Sequence, residues 1–242
     1  MQAVKARALL SAFAWITPCF TLLINDGRVR RSTCSWGAVT EREFWAPFFI
    51  AIGVGALLFG GFRARAFIAC VVLSVLIASG VNGLLKSMVD RPRPKHVDEV
   101  RMVEVQSTRP AFLTLFKKPT IRFSDSSDRN RSGPSFPSAH MTTNTVIAVF
   151  CTLFYLRWGW LYWFIAAAIG YSRVYTGAHW PGDVIGAFFV GVVEARLLLS
   201  VYEVVWRNVT RKWMPQLFAR HPSLIGDFGG RAQPRSAPQP SR

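Results

Sequence analysis

Hydrophobic positions along this chain fall in long blocks rather than in alternation, and each block approaches the length of a bilayer crossing. Six such runs occupy residues 9–24, 44–62, 66–85, 141–156, 159–171 and 184–205. About 20 predominantly apolar residues cross the hydrocarbon core as a helix, so the pattern predicts six transmembrane helices. The first and fifth runs are short, which implies local thinning of the bilayer or ends that reach a polar cavity. Lys5 and Arg7 precede the first run without a small-x-small cleavage site after it, so that run reads as an uncleaved span.

The polar stretches complete an all-α, polytopic membrane bundle. Residues 61–65 and 157–158 read as tight turns on the side of both termini. The opposite side receives residues 25–43, the long segment 86–138 and residues 171–183. Within the long segment, 100–106 reads as a short strand or surface helix, and 110–118 as an amphipathic piece suited to a bilayer surface. Residues 124–135, rich in Ser, Asp and Gly, read as turn and loop. The membrane domain is thus expected over 1–206, with an extramembrane loop at 87–137. A basic tail at 207–242 ends in Pro, Ser and Gln and is expected to be disordered.

Charge sharpens the picture. Twenty-nine Lys and Arg stand against 13 Asp and Glu, a formal net charge of +16. In a membrane protein that balance favours anionic lipid or a phosphate-bearing substrate, and no nucleic-acid-binding motif is present. Basic residues occur on both sides in similar numbers, so the positive-inside rule does not select an orientation. Cys19, Cys34, Cys70 and Cys151 are scattered without ligand spacing, giving neither a disulfide framework nor a metal site.

Three polar clusters interrupt the apolar pattern. "KSMVDRPRP" closes the third run, with Lys86 and Arg93 seven apart and prolines at 92 and 94. It reads either as ordinary basic flanking or as a stiffened exit that aims both cations at one anion. "PSFPSAHM" opens the fourth run: Ser138 is placed as an N-cap, and the first turn, with His140 in it, offers free N–H groups to an anion. "YSRVYTGAHWPGD" separates the fifth and sixth runs. There Arg173 is suited to phosphate oxygens, Pro181 to the first turn of a helix, and His179 and Asp183 are four apart. A carboxylate accepting from one imidazole nitrogen would set the tautomer and leave the other nitrogen nucleophilic, although a core ion pair is the competing reading. Six spans place all three clusters on one membrane face. Cations, a nucleophile and an acid are the parts that phosphoryl transfer needs.

The motifs Lys-x6-Arg-Pro (Lys86, Arg93, Pro94), Pro-Ser-x-His (Pro137, Ser138, His140) and Ser-Arg-x5-His-x3-Asp (Ser172, Arg173, His179, Asp183) resemble those of the type 2 phosphatidic acid phosphatase family. The match runs in order from Lys86 to Asp183. The resemblance implies a membrane-bound lipid phosphatase, with His179 as the nucleophile forming a phosphohistidine and Asp183 orienting it. It implies that His140 protonates the leaving alkoxide and then activates water, that Lys86, Arg93, Ser138 and Arg173 hold the phosphate, and that no metal or other cofactor takes part. Where the family has glycine in its second motif this chain has Ala139, whose backbone N–H would still face the phosphate. Bacterial members act on undecaprenyl pyrophosphate, phosphatidylglycerophosphate, phosphatidate or lipid A, which implies an inner-membrane protein with its site facing the periplasm. A lipid phosphotransferase would share every motif, and a non-catalytic phospholipid transporter would share the cations. A soluble vanadium-dependent haloperoxidase would share the residues but not the apolar runs. Glu194 and Arg196, inside the sixth run, belong to no motif and are expected to find packing partners in other spans.

Overall fold

The computed structural model describes residues 42–97, 101–104, 120–129 and 133–225. The expected first span (9–24) and the amphipathic piece (110–118) lie outside the described residues. The other five runs are helices. They are α1 (Arg42–Phe59), α2 (Phe62–Val89), α5 (Ala139–Phe154), α7 (Tyr162–Tyr175) and α8 (Pro181–Trp213). Between α2 and α5 come a short helix α3 (Pro94–Val97), strands β1 (Arg101–Glu104) and β2 (Thr120–Phe123), and one helical turn α4 (Ser126–Arg129). The strands form an antiparallel ribbon in which Arg101 faces Phe123 and Glu104 faces Thr120. Helix α6 (Leu156–Gly159) bends the chain between α5 and α7, where a tight turn was expected.

The described part of the loop 124–135 holds the turn α4 because Asp125 organises it: its carboxylate accepts from the Ser127 N–H at 2.8 Å and the Ser127 hydroxyl at 2.6 Å. The region after Trp206 also departs from expectation. Helix α8 continues to Trp213, α9 (Pro215–Arg220) follows, and residues 221–225 fold back on the bundle. That return is held by Glu203, which accepts from the Ser223 hydroxyl (2.8 Å) and the Leu224 and Ile225 N–H groups. The Trp206 indole donates to the His221 carbonyl at 2.9 Å, and Phe62 stacks on His221 at 4.0 Å. Nine-tenths of the Leu224 surface is buried as a result.

Large apolar side chains face outward, among them Ile50, Leu58, Phe59, Leu76, Leu84, Phe189 and Leu197. The core holds Phe150, Phe154 and Val146 of α5, and α2 turns small and mildly polar residues inward. On α2 the buried positions are Ala66, Cys70, Ser74, Ala78 and Asn82, a strict four-residue spacing that places them on one helix face. This is how helices pack in lipid, where small residues permit close approach and polar side chains bond across the interface. Ser74 pairs with Tyr202 (3.1 Å) and Asn82 accepts from Thr142 (3.1 Å). Helix α5 is the centre, packed against α2, α7 and α8. Glu194 is buried with both carboxylate oxygens unpartnered, and Arg196 is exposed on the opposite face of α8. Glu194 lies beside Ile77 and Val81 of α2, but no hydrogen-bond or ion-pair partner for its carboxylate is found among the described residues.

Gly191 is where α8 meets α5. A Cβ there would lie 2.8 Å from the Thr145 Cβ and 2.9 Å from the Thr142 carbonyl oxygen. Gly191→Ala should therefore destabilise the protein by about 1–3 kcal/mol, the usual cost of overpacking, read as a lowered Tm in detergent. Gly53→Ala, at a position with nothing within 4 Å, should leave Tm unchanged or slightly raised.

Candidate active site

The three polar clusters meet at one end of the bundle because their backbones are stitched together. Helix α2 ends at Asp90, which takes the left-handed conformation (φ 39°) and returns its N–H to the Lys86 carbonyl at 3.2 Å. Asp is among the few non-glycine residues that adopt this conformation readily. The turn carries Arg91 to Arg93 back over the helix end. There the Ser135 N–H donates to the Arg91 carbonyl (2.7 Å), the Ser135 hydroxyl to the Pro92 carbonyl (3.3 Å), and Pro92 bridges to Pro134. The Ser138 N–H donates to the Asp183 carbonyl (3.4 Å), joining the second cluster to the third.

Gly177, at φ 68°, ends α7 in a conformation that glycine adopts without steric cost. The Ala178 and His179 N–H groups then both return to the Arg173 carbonyl, so Arg173 and His179 sit on one tight turn. Trp180 caps α8 and Pro181 occupies its first turn, as expected. The Asp183 carboxylate completes the cap by accepting from the Trp180 N–H at 2.9 Å.

His179 is 6% exposed, and its Nδ1 lies 2.7 Å from the Ser135 carbonyl oxygen. A carbonyl only accepts, so Nδ1 carries the hydrogen and Nε2 of the neutral ring keeps its lone pair. Burial pushes the His179 pKa down to about 3. The positive fields of Arg93, Lys86 and Arg173 act in the same direction, against the Ser135 hydrogen bond. The imidazole is therefore neutral at physiological pH, with a free nitrogen among three cations.

The expected hydrogen bond from His179 to Asp183 is not formed. Nδ1 is 3.9 Å from Asp183 Oδ2, beyond hydrogen-bond reach. Asp183 is instead fully buried and paired with Arg91, whose Nη1 is 2.9 Å from Oδ1. Arg91 also lies over the Trp180 ring at 5.3 Å, while the Trp180 indole donates to the Pro92 carbonyl at 2.9 Å. Tautomer control thus belongs to Ser135, and Asp183 holds the surrounding frame. Ser135 acts through its backbone, which leaves no side-chain signature in a sequence. Arg91 lies inside the first motif, but spacing alone does not tell which arginine of "RPRP" faces an anion and which a carboxylate.

Ser138 occupies the N-cap of α5 as expected, yet its side chain makes no capping bond. The hydroxyl oxygen is buried without a partner, as is Arg93 Nε. Ala139 opens α5 in the helical conformation, and His140 follows in the first turn, half-buried. The His140 carbonyl accepts from Asn144 (2.8 Å), which accepts from the Tyr162 hydroxyl (2.8 Å). Lys86, in the last turn of α2, is near enough to Arg93 for the two charges to interact. The structure therefore brings Lys86, Arg93, Ser138, Arg173, His179 and Asp183 to one end of the bundle, with Ala139 and His140 on the adjoining turn.

These features define a class: a transmembrane helical bundle that sets a neutral histidine among basic side chains at one membrane face. The PAP2 superfamily model matches residues 67–207, more than half of the 242-residue chain, and the chain belongs to that superfamily. An undecaprenyl-diphosphatase from Sulfolobus acidocaldarius is 31% identical over 144 residues, 59% of each chain. A lipid A 4'-phosphatase from Porphyromonas gingivalis is 26% identical over 65% of this chain and 58% of its own. The crystal structure of the transmembrane PAP2-type phosphatidylglycerolphosphate phosphatase from Bacillus subtilis superposes with a TM-score of 0.54. It is 20% identical, over 84% of this chain and 93% of that one, a likeness of fold. The matches span 40% to 59% of the length of the curated relatives.

Two predictions follow from this geometry. Arg91→Gln would strand a buried carboxylate, so it should cost about 3–5 kcal/mol of stability. Adding Asp183→Asn should recover part of that loss; strictly additive Tm changes in the double variant would refute the pairing. Second, His179 binds a proton less readily when folded than when unfolded, where its pKa is about 6.5. Its contribution is present above pH 6.5 and is lost as pH falls toward about 3. Between pH 7.5 and 5.0 the wild type should therefore lose more Tm than His179→Gln does.

Proposed function

We propose that this protein hydrolyses a phosphate ester or pyrophosphate of a membrane lipid through a phosphohistidine on His179. The observation that carries this reading is the Ser135 carbonyl on Nδ1, which leaves Nε2 of a neutral imidazole as the nucleophile beside Arg93, Lys86 and Arg173. In-line attack by Nε2 on phosphorus expels the lipid alkoxide or lipid phosphate, and His140 donates the proton to it. His140 then takes a proton from water as the water oxygen attacks phosphorus; the N–P bond breaks, its electron pair returns to Nε2, and phosphate is released. Arg93, Lys86 and Arg173 meet the charge on the equatorial oxygens, with the unpartnered Arg93 Nε and Ser138 hydroxyl as further donors. Asp183 supports the site through Arg91 and Trp180. These side chains supply charge stabilisation without a metal.

The lipid class is supported by position and by relatives. The site lies at the end of α2 and the start of α8, at headgroup level for a membrane-spanning bundle. The similar proteins are named for undecaprenyl diphosphate, lipid A and phosphatidylglycerolphosphate. A site on the periplasmic side of the inner membrane is the orientation that the resemblance to bacterial members of the family supports; the basic residues on both sides do not select it.

The test is phosphate release by the purified protein from undecaprenyl pyrophosphate, phosphatidylglycerophosphate, phosphatidate and lipid A in detergent, with and without EDTA. At least one should be turned over equally well with the chelator. His179→Ala should lower kcat by at least about 10³-fold, as loss of a covalent nucleophile does. Phosphate release by His179→Ala near the wild-type rate, or no release from any of the four lipids, would overturn the reading.

A further inference from the structure

At the end of the bundle away from His179, the last turns of α8, α9 and the returning segment 221–225 border an open cavity of about 410 Å³ lined by Arg207, Asn208, Arg211, Phe218, Pro222 and Ser223. We infer that this cavity binds the phosphate-bearing headgroup of an anionic lipid in the leaflet opposite the active site.

Depth is the first reason. Arg207 lies 24 residues after Asp183 on one continuous helix, about 36 Å away at 1.5 Å per residue. The hydrocarbon core is about 30 Å thick and the bilayer with headgroups about 40–45 Å. With Asp183 at headgroup level on one face, Arg207 and Arg211 stand at headgroup level on the other. Donor chemistry is the second. Arg207 and Arg211 are four apart, so both guanidinium groups lie on one face of α8, and Asn208 adds an amide. Arginine forks suit phosphate oxygens, and basic pockets at helix ends accept phospholipid headgroups. The nearby carboxylate is Glu203, whose Oε2 is 3.5 Å from Arg207 Nε. Glu203 Oε1 also accepts from Ser223, Leu224 and Ile225, so this acid is held in place beside the cavity and offsets part of the Arg207 charge. Among the described residues, no acid lines the cavity beside Arg211.

Shape is the third reason. Phe218 and Pro222 form an apolar side beside the cations, which suits the glycerol and first methylenes of a lipid and has no use for inorganic phosphate. The cavity exists only because residues 221–225 fold back, so a ligand here would also hold that return in place.

The experiment uses the full purified chain and phosphatidylglycerol, whose phosphodiester is not a terminal phosphate. Binding is followed by native mass spectrometry from detergent, with phosphatidylcholine and inorganic phosphate as the other arms. Wild type should retain phosphatidylglycerol and not phosphatidylcholine. Arg207→Gln with Arg211→Gln should weaken phosphatidylglycerol binding about thirtyfold, roughly fivefold for each basic residue at the membrane surface. Arg173→Gln, at the other end, should retain the lipid. Tm and α-helical circular dichroism of the double variant confirm folding, and Arg207→Lys with Arg211→Lys, which keeps both charges, should bind more tightly than the glutamine pair. Unchanged affinity in the glutamine pair, loss in Arg173→Gln alone, or equal retention of phosphatidylcholine would overturn the inference. Displacement of the lipid by millimolar phosphate would assign the cavity to a soluble anion and withdraw the headgroup.

Discussion

A buried carboxylate organises this end of the protein. Asp183 is fully enclosed, and a charge taken out of water persists only if it is paired and hydrogen-bonded. Arg91 and the Trp180 N–H meet that demand, and meeting it forces the end of α2 against the start of α8. Once Arg91 is held there, its carbonyl and that of Pro92 are in place to receive Ser135. Ser135 in turn presents its own carbonyl to His179. The electronic state of the histidine thus follows, two steps removed, from how one acid is neutralised.

The rest of the bundle gives this arrangement a fixed platform. Small residues at four-residue spacing let α2 lie close to its neighbours, and Gly191 does the same where α8 crosses α5. Hydroxyl and amide pairs such as Asn82 with Thr142 tie the helices in a medium that offers no water. Helix α8 runs the full depth, so its two ends meet different leaflets: Asp183 supports a histidine at one, and Arg207 and Arg211 border a cavity at the other. The two ends differ in construction. The first is closed around a charge, whereas the second is open and half apolar.

Periodicity and composition were enough to read the membrane class and five of the helical runs, because an apolar block of that length has few other stable environments. They also pointed to Lys86, Arg93, His140, Arg173, His179 and Asp183 as candidates, since ionisable groups beside lipid-length runs are costly without a use, and to Ser138 as an N-cap. The strand at 101–104 was legible as one of two possibilities; its pairing with 120–123 was not. The order of residues 207–225 was hidden because it comes from Glu203 and Trp206 gripping backbone groups, and backbone bonds leave no pattern in composition. The same limit governed the active site. Spacing of four between His179 and Asp183 suggested a direct bond, but the packed chain offered each a better partner: a carbonyl for the imidazole and a guanidinium for the acid. Most of the residues that gather at the site are marked along the chain; the Ser135 carbonyl, the pairing of Arg91 and the atom each residue touches were decided only when three distant segments closed around a charge that had to be neutralised.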